Sequence, residues 1–222
     1  MRTLYHLPLD PGSRAVRILL GEKRLEVALK TEQVWKRRES FLRLNPAGEV
    51  PVLVEEDGTS LPGALVIAEY LDEVYSEPPL IGADPLDRAE VRRLAVWFFG
   101  KFAREVSTNL IEEKVTKRFL GMGEPNASAI RAGLANIHYH LDYIAWLSER
   151  RRWLAGDLFS LADIAAAAHL SALDYLGDVP WEEHPGARDW YARIKSRPSL
   201  RPILADLIPG MTPPRHYPDP DF

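Results

Sequence analysis

The side chains best placed to do chemistry fall where an apolar stretch gives way to a helix. In "LPLDPGSRAVRILLGEK", residues 7–23, Asp10 sits at that junction and is followed by Pro11. A carboxylate there can work on a reacting group as an acid or base. It can also cap the helix, accepting from the free N–H groups of the first turn, with proline tolerated at the next position. The cap needs nothing beyond the local pattern, and it is the reading the sequence favours. The chain has no cysteine, which removes disulfides, thiolate metal ligands and cysteine nucleophiles. His138, His140, His169, His184 and His216 show no ligand constellation; His138 and His140, two apart, diverge on a helix. No metal site is expected.

At 222 residues the chain is long enough for one large domain or two small ones. Its 46% hydrophobic and 27% charged residues fit a globular protein. A net charge of −4 gives no global attraction to nucleic acid or anionic lipid, so an acidic partner would have to meet a local basic patch. "MRTLYHLPLD" lacks a long apolar core, and no apolar run nears the ~20 residues of a membrane span. No signal peptide, no membrane insertion and a cytoplasmic location are therefore expected.

Holding Asp10 in place requires a strand over 2–9 and a helix after it, whose Val16, Leu19 and Leu20 recur at i, i+3 and i+4. A second strand is predicted within 25–34, and a short helix in "ESFLRLNP". "VPVLVEEDGTSLP", 50–62, reads as a hairpin turning at Asp57-Gly58, and "GALVIAEYLDEVY" as a helix. The order β-α-β-α-β-β-α makes a small α/β domain, placed at 1–78, with a linker at 79–84. An all-α domain follows at 85–208. It holds a long helix toward Leu120, a break at "GMGEPN", a second long helix over 127–150, and a small-residue apolar helix in "FSLADIAAAAHLSALDYL". Two shorter helices, split by Arg197-Pro198, complete it. Ser160 and Asp163 form a capping-box-like pair with a structural role. The tail 209–222, "PGMTPPRHYPDPDF", has five prolines in fourteen residues and cannot be helical.

"NPAGEVPVL" (45–53) and "WLAGDLFSLADI", set in this order of elements, resemble the glutathione transferase superfamily over roughly residues 1–208. The resemblance implies a thioredoxin-like first domain that binds glutathione, a helical second domain that receives the electrophile, and a cis bond between Val50 and Pro51. Serine-type members carry a pattern like "SPxSRxVR", whose leading hydroxyl donates to the glutathione sulfur. Here the stretch is "DPGSRAVR", so Asp10 fills that slot. A carboxylate would repel the thiolate and raise its pKa. Family members also carry Glu-Ser or Asp-Ser before the third helix to hold the γ-glutamyl end. "LPGALVIAEYL" places Gly63 and Ala64 there, and neither side chain can hydrogen-bond. Asp10, Val50, Pro51, Gly63 and Ala64 therefore read as a degenerate glutathione site, with no cofactor and no catalytic residue expected. The rival reading is a working transferase or thiol-handling enzyme that uses Tyr5 or Ser13. A module binding another hydrophobic ligand between the domains is a third.

Two surfaces suit a macromolecular partner. "QVWKRRESF" sets Trp35 beside Lys36, Arg37 and Arg38, a patch fit for an acidic partner. "SERRRWL" (148–154) is a second basic run, partly absorbed by the "WLAGDLFSLADI" box. The tail, with Tyr217 and Phe222 as its large apolar groups, suits an extended strip laid across a surface. "LYHLPLDPGSRAVRI", "VWKRRESFLRLNPAGEVPVL" and "PPRHYPDPDF" are similar to glutathione-transferase-like cell-division proteins. That likeness implies a homodimer at the division site that binds filaments of the tubulin-like GTPase FtsZ. The tail is expected to lie across the dimer or near the vacated cleft, held by Tyr217 and Phe222. Its removal from 213 onward is expected to leave the fold intact.

Overall fold

The computed structural model describes residues 1–219. The first domain is a four-stranded mixed sheet in the order β2-β1-β3-β4. β1 (Thr3–His6) pairs in parallel with β2 (Ala28–Thr31) and antiparallel with β3 (Val52–Val54), which in turn pairs antiparallel with β4 (Ser60–Pro62). Side chains alternate across the sheet. Leu4 and Leu53 enter the core with Ile18 and Leu19 of α1 (Pro11–Glu22) and with Ile67 and Leu71 of α3 (Ala64–Val74). On the other face Tyr5 packs on Phe41 of the short α2 (Glu39–Leu42), ring centroids 5.6 Å apart. This is the β-α-β-α-β-β-α order read from the sequence, and the hairpin turns at Gly58, which has φ +90°. The second strand is shorter than predicted because the chain turns into a single 3-10 turn at Val34–Lys36.

Lys23 closes the first domain. Its ammonium donates to Asp72 at 2.6 Å and to the carbonyls of Tyr75 and Pro78 at 2.6 and 2.8 Å. Asp72 also accepts from the Leu80 N–H at 2.9 Å, so one buried ion pair pins the linker.

The helical domain opens with α4, a run over 85–120. It is α-helical over Pro85–Val96, capped by Asp84, and wound on the wider i to i+5 pattern over Trp97–Thr116. Phe98, Phe102, Val106 and Leu110, four apart, are all buried, the spacing that a wider turn brings to one side. α5 (Ala127–Ser148) follows, capped by Asn126. At the centre lies α6 (Leu161–Tyr175), buried along its whole length, with α7 (Pro185–Lys195) and α8 (Arg201–Leu204) outside it. Ser160 and Asp163 form the reciprocal capping box of α6. Asp163 also accepts from the Leu154 N–H and the Trp190 indole, both at 3.0 Å. Burial nonetheless pushes its carboxyl up to about 6.

α1 packs along α6 and joins the two domains. At Gly21 the backbones come so close that a Cβ would stand 3.0 Å from Ser199, which explains glycine there. Arg17 grips Asp206 with two bonds of 2.6 and 2.9 Å, and Arg197 grips Glu22 with two of 2.7 and 2.6 Å.

Candidate functional site

Asp10 is the N-cap of α1. Its backbone is extended (φ −74°, ψ 120°), and its Oδ2 accepts from the Ser13 N–H at 2.6 Å. Desolvation at the floor of the cleft pushes its carboxyl up to about 6, against the pull of the Ser13 bonds. Around it gather other residues that the resemblance assigned to the glutathione site. A Cβ on Gly12 would lie 3.1 Å from Pro51 Cδ, 3.3 Å from Asp10 Oδ2 and 3.6 Å from Ala64 Cβ. The Val50–Pro51 bond is cis, and the Pro51 carbonyl accepts from the Gly63 N–H at 2.9 Å. Gly63 has φ +93° and open space beside it, and it precedes α3 without any side-chain cap. The pole is thus walled by a methyl group, a proline ring and bare backbone, with one carboxylate. Pro51, Gly63 and Ala64 themselves carry no hydrogen-bonding side chain, whereas Gln33 and Trp35 line the same cleft.

The two hydroxyls of the rival reading lie elsewhere. Ser13 is fully buried, and its Oγ accepts from the Leu7 N–H at 3.2 Å. Tyr5 faces α2, with the Lys30 ammonium 3.4 Å from its hydroxyl. Neither lines the cleft.

Between the domains the cleft encloses about 570 Å³. Asp10 and Trp35 contribute from the first domain; Phe99, Ile111, Phe119 and His169 contribute from the second. His169 stands out of the alanine run of α6, with its Nδ1 2.7 Å from Ser107 Oγ. Burial lowers this imidazole to about 3, so it is neutral. The sequence carried a signal for it, a lone histidine in an apolar helix, but nothing that named Ser107 as its partner.

Trp35 is 38% exposed and stands at the cleft mouth, so it belongs to both the cavity and the surface. Lys36 and Arg37 are exposed and make no ion pair among the described residues. Arg38 differs from the expectation: it is bound to Glu32 through two bonds, the Nε one at 3.1 Å, and Glu32 is itself buried. The patch therefore presents two unpaired cations rather than three. Two of the three arginines of the second basic run are held internally, and Arg152 is exposed. Arg151 pairs with Glu90 at 2.6 Å, and Arg150 pairs with Glu149 and lies over the Trp146 ring.

The tail also departs from expectation. Tyr217 is 0% exposed, so it cannot meet a partner directly. Its hydroxyl donates to the Ile203 carbonyl and accepts from Arg14 Nη1, both at 3.1 Å, and its ring meets Tyr175 edge-on. Lys195 donates to the His216 carbonyl at 2.8 Å, and Tyr175 to that of Met211 at 3.2 Å. Tyr217 is a core residue at the joint of the domains, not a cleft or interface residue. Phe222 lies outside the described residues. Among those residues no group of three or more His, Asp or Glu side chains stands ready to hold a metal ion.

A thioredoxin-like domain with a cis proline facing the first-helix N-terminus, joined to a helical domain with a capped central helix, defines a class. Residues 4–79 match the N-terminal domain and 112–198 the C-terminal domain of glutathione S-transferase, and the chain belongs to this family. It is 50% identical to the FtsZ-localized protein A of Caulobacter vibrioides, over 100% of this chain and 98% of that one. Among solved structures it matches FzlA from C. crescentus with a TM-score of 0.96 at 50% identity, over 100% of this chain and 99% of that one. A glutathione S-transferase from Rhodospirillum rubrum F11 matches with a TM-score of 0.98 at 57% identity, over 100% of each chain.

Proposed function

We propose that the chain is a non-catalytic member of the family that binds FtsZ filaments as a homodimer, in the cytoplasm at the division site. The observation that carries the reading is the state of the glutathione pole: Asp10 where an activating hydroxyl is needed, and Gly63 and Ala64 where anchors are needed. A desolvated carboxyl beside the sulfur position opposes the thiolate, and a charged γ-glutamyl end without partners binds poorly. The full-length likeness to an FtsZ-localized protein supports the partner. The exposed Trp35 with Lys36 and Arg37 supplies an aromatic anchor beside two free cations, the pattern that suits an acidic filament.

Co-sedimentation with GTP-assembled FtsZ, with glutathione-agarose retention measured on the same preparation, tests the reading. The expected result is pelleting with the filaments and no retention. Retention together with turnover of a reactive aryl halide, and no pelleting, overturns it.

A further inference from the structure

The charged groups that line the cleft between the domains carry one sign. Asp10 stands at its floor and Glu112 on its helical wall, and among the described residues no Lys or Arg lines it. His169, the third titratable group of the lining, is neutral. Neither carboxylate makes an ion pair among the described residues; the bonds on Asp10 come from Ser13 of its own helix. Two further charges bear on Asp10. Glu49 deepens the negative field, and Arg14 is committed to the Pro8 carbonyl, Ser171 and Tyr217 at the domain joint. The partial positive charge at the start of α1, about half a unit, is smaller than the full charge of the carboxylate that caps it. Around this negative floor stand three aromatic rings, those of Trp35, Phe99 and Phe119, with Trp35 and Phe119 exposed at the mouth.

We infer that the cleft binds an apolar amine in its ammonium form, with Asp10 as counter-ion and the aromatic rings around the hydrocarbon body. A desolvated carboxylate without a cation gains most from a partner that brings its own apolar cover, because the pair then forms away from water, where their attraction is stronger. The indole face of Trp35 attracts an ammonium in its own right. Glu112, exposed on the opposite wall, adds a weaker attraction that salt screens. An anion of the same size meets two carboxylates and no cation, and a neutral molecule gains apolar burial alone. Charge therefore sets the selectivity, while a cavity of about 570 Å³ leaves room for a sizeable body. The ammonium arrives charged, and a protonated Asp10 must release its proton to solvent to receive it. The site stands whether or not the chain meets a filament.

Titration calorimetry of the full chain with octylamine hydrochloride, 1-octanol and sodium octanoate tests this site, since the three probes share one apolar body. The expected result is one octylammonium per chain, bound at least about tenfold more tightly than 1-octanol, with octanoate the weakest. Asp10→Asn, which keeps the helix cap, should bind octylammonium and 1-octanol alike. Glu112→Gln should weaken octylammonium by about twofold, as an exposed charge does. An alkylammonium keeps its charge from pH 5 to 7 as a lysine does. The Asp10 carboxyl, at about 6, goes over that interval from mostly protonated to mostly ionised. Affinity should therefore rise about tenfold from pH 5 to 7 in the parent chain and stay flat in Asp10→Asn. The rise is read on the parent chain, so the test holds even if the variant fails to fold. No heat from octylammonium, equal binding of octylammonium and 1-octanol, tighter binding of octanoate, or an affinity unchanged from pH 5 to 7 overturns the site.

Discussion

Helix α1 faces two ways, and its two sides are built on opposite terms. At its start, toward the cleft, stand Asp10, Pro11 and Gly12, with Pro51, Gly63 and Ala64 across from them. Hydrogen-bonding side chains are scarce there. Along its side toward the helical domain, Arg14 is completely buried and donates to the Pro8 carbonyl, Ser171 Oγ and the Tyr217 hydroxyl at 2.6, 2.9 and 3.1 Å. Arg17 grips Asp206 beside it. One helix therefore has a sparsely bonded end at the cleft and a densely bonded side at the domain joint.

The sharpest way to break this contrast is at the joint. Tyr217→Ala should destabilise by about 3–5 kcal/mol, because it empties a packed aromatic site and leaves Arg14 short of a partner; chemical denaturation reads the loss. Truncation before Pro213 should cost at least as much, the reverse of the sequence expectation that the tail is dispensable to the fold. Next comes the cleft mouth. Trp35→Ala should weaken FtsZ co-sedimentation by about 2 kcal/mol, roughly thirtyfold, with the melting temperature nearly unchanged. Arg37→Glu should weaken it less, and binding by the parent chain should fall with added salt.

The bare end can be sharpened in turn by restoring it. Asp10→Ser, Gly63→Glu and Ala64→Ser together should bring back measurable glutathione affinity by calorimetry, and Asp10→Ser alone should not. Gly63→Glu carries a penalty of about 1–3 kcal/mol in stability, because φ +93° strains any residue with a Cβ. The smallest effect is one of pH. The Asp10 carboxyl titrates higher folded, about 6, than at its ordinary 3.8. Its neutral form is favoured by the fold, so its contribution is full below pH 4 and lost as pH rises to 6. His6 and His169, lowered to about 4 and about 3, act with the opposite sign as pH falls below 6.5. The readout is therefore a difference: Asp10→Asn, still a good cap, should flatten the pH 4–6 slope relative to the parent chain.

What was legible in the sequence was local. The cap at Asp10, the turn at Asp57-Gly58, the box at Ser160 and Asp163 and the apolar stripes each lie within a few residues, where backbone chemistry dictates the outcome. The cis bond at Pro51 came with the family resemblance. What the sequence did not show was long-range. Arg14 in "SRAVR" carries no mark of burial, since its partners come from Ser171 and Tyr217. Glu32 neutralises Arg38 only because the strand end turns back over it. His138 shows nothing of His184, whose approach depends on how α5 and α7 pack.

Tyr217 leaves the ribosome 203 residues after the arginine it completes. Until then a growing chain holds an arginine whose buried nitrogens lack one acceptor, at the seam of two otherwise finished domains. Order at that seam therefore waits on one of the longest-range contacts in the described fold.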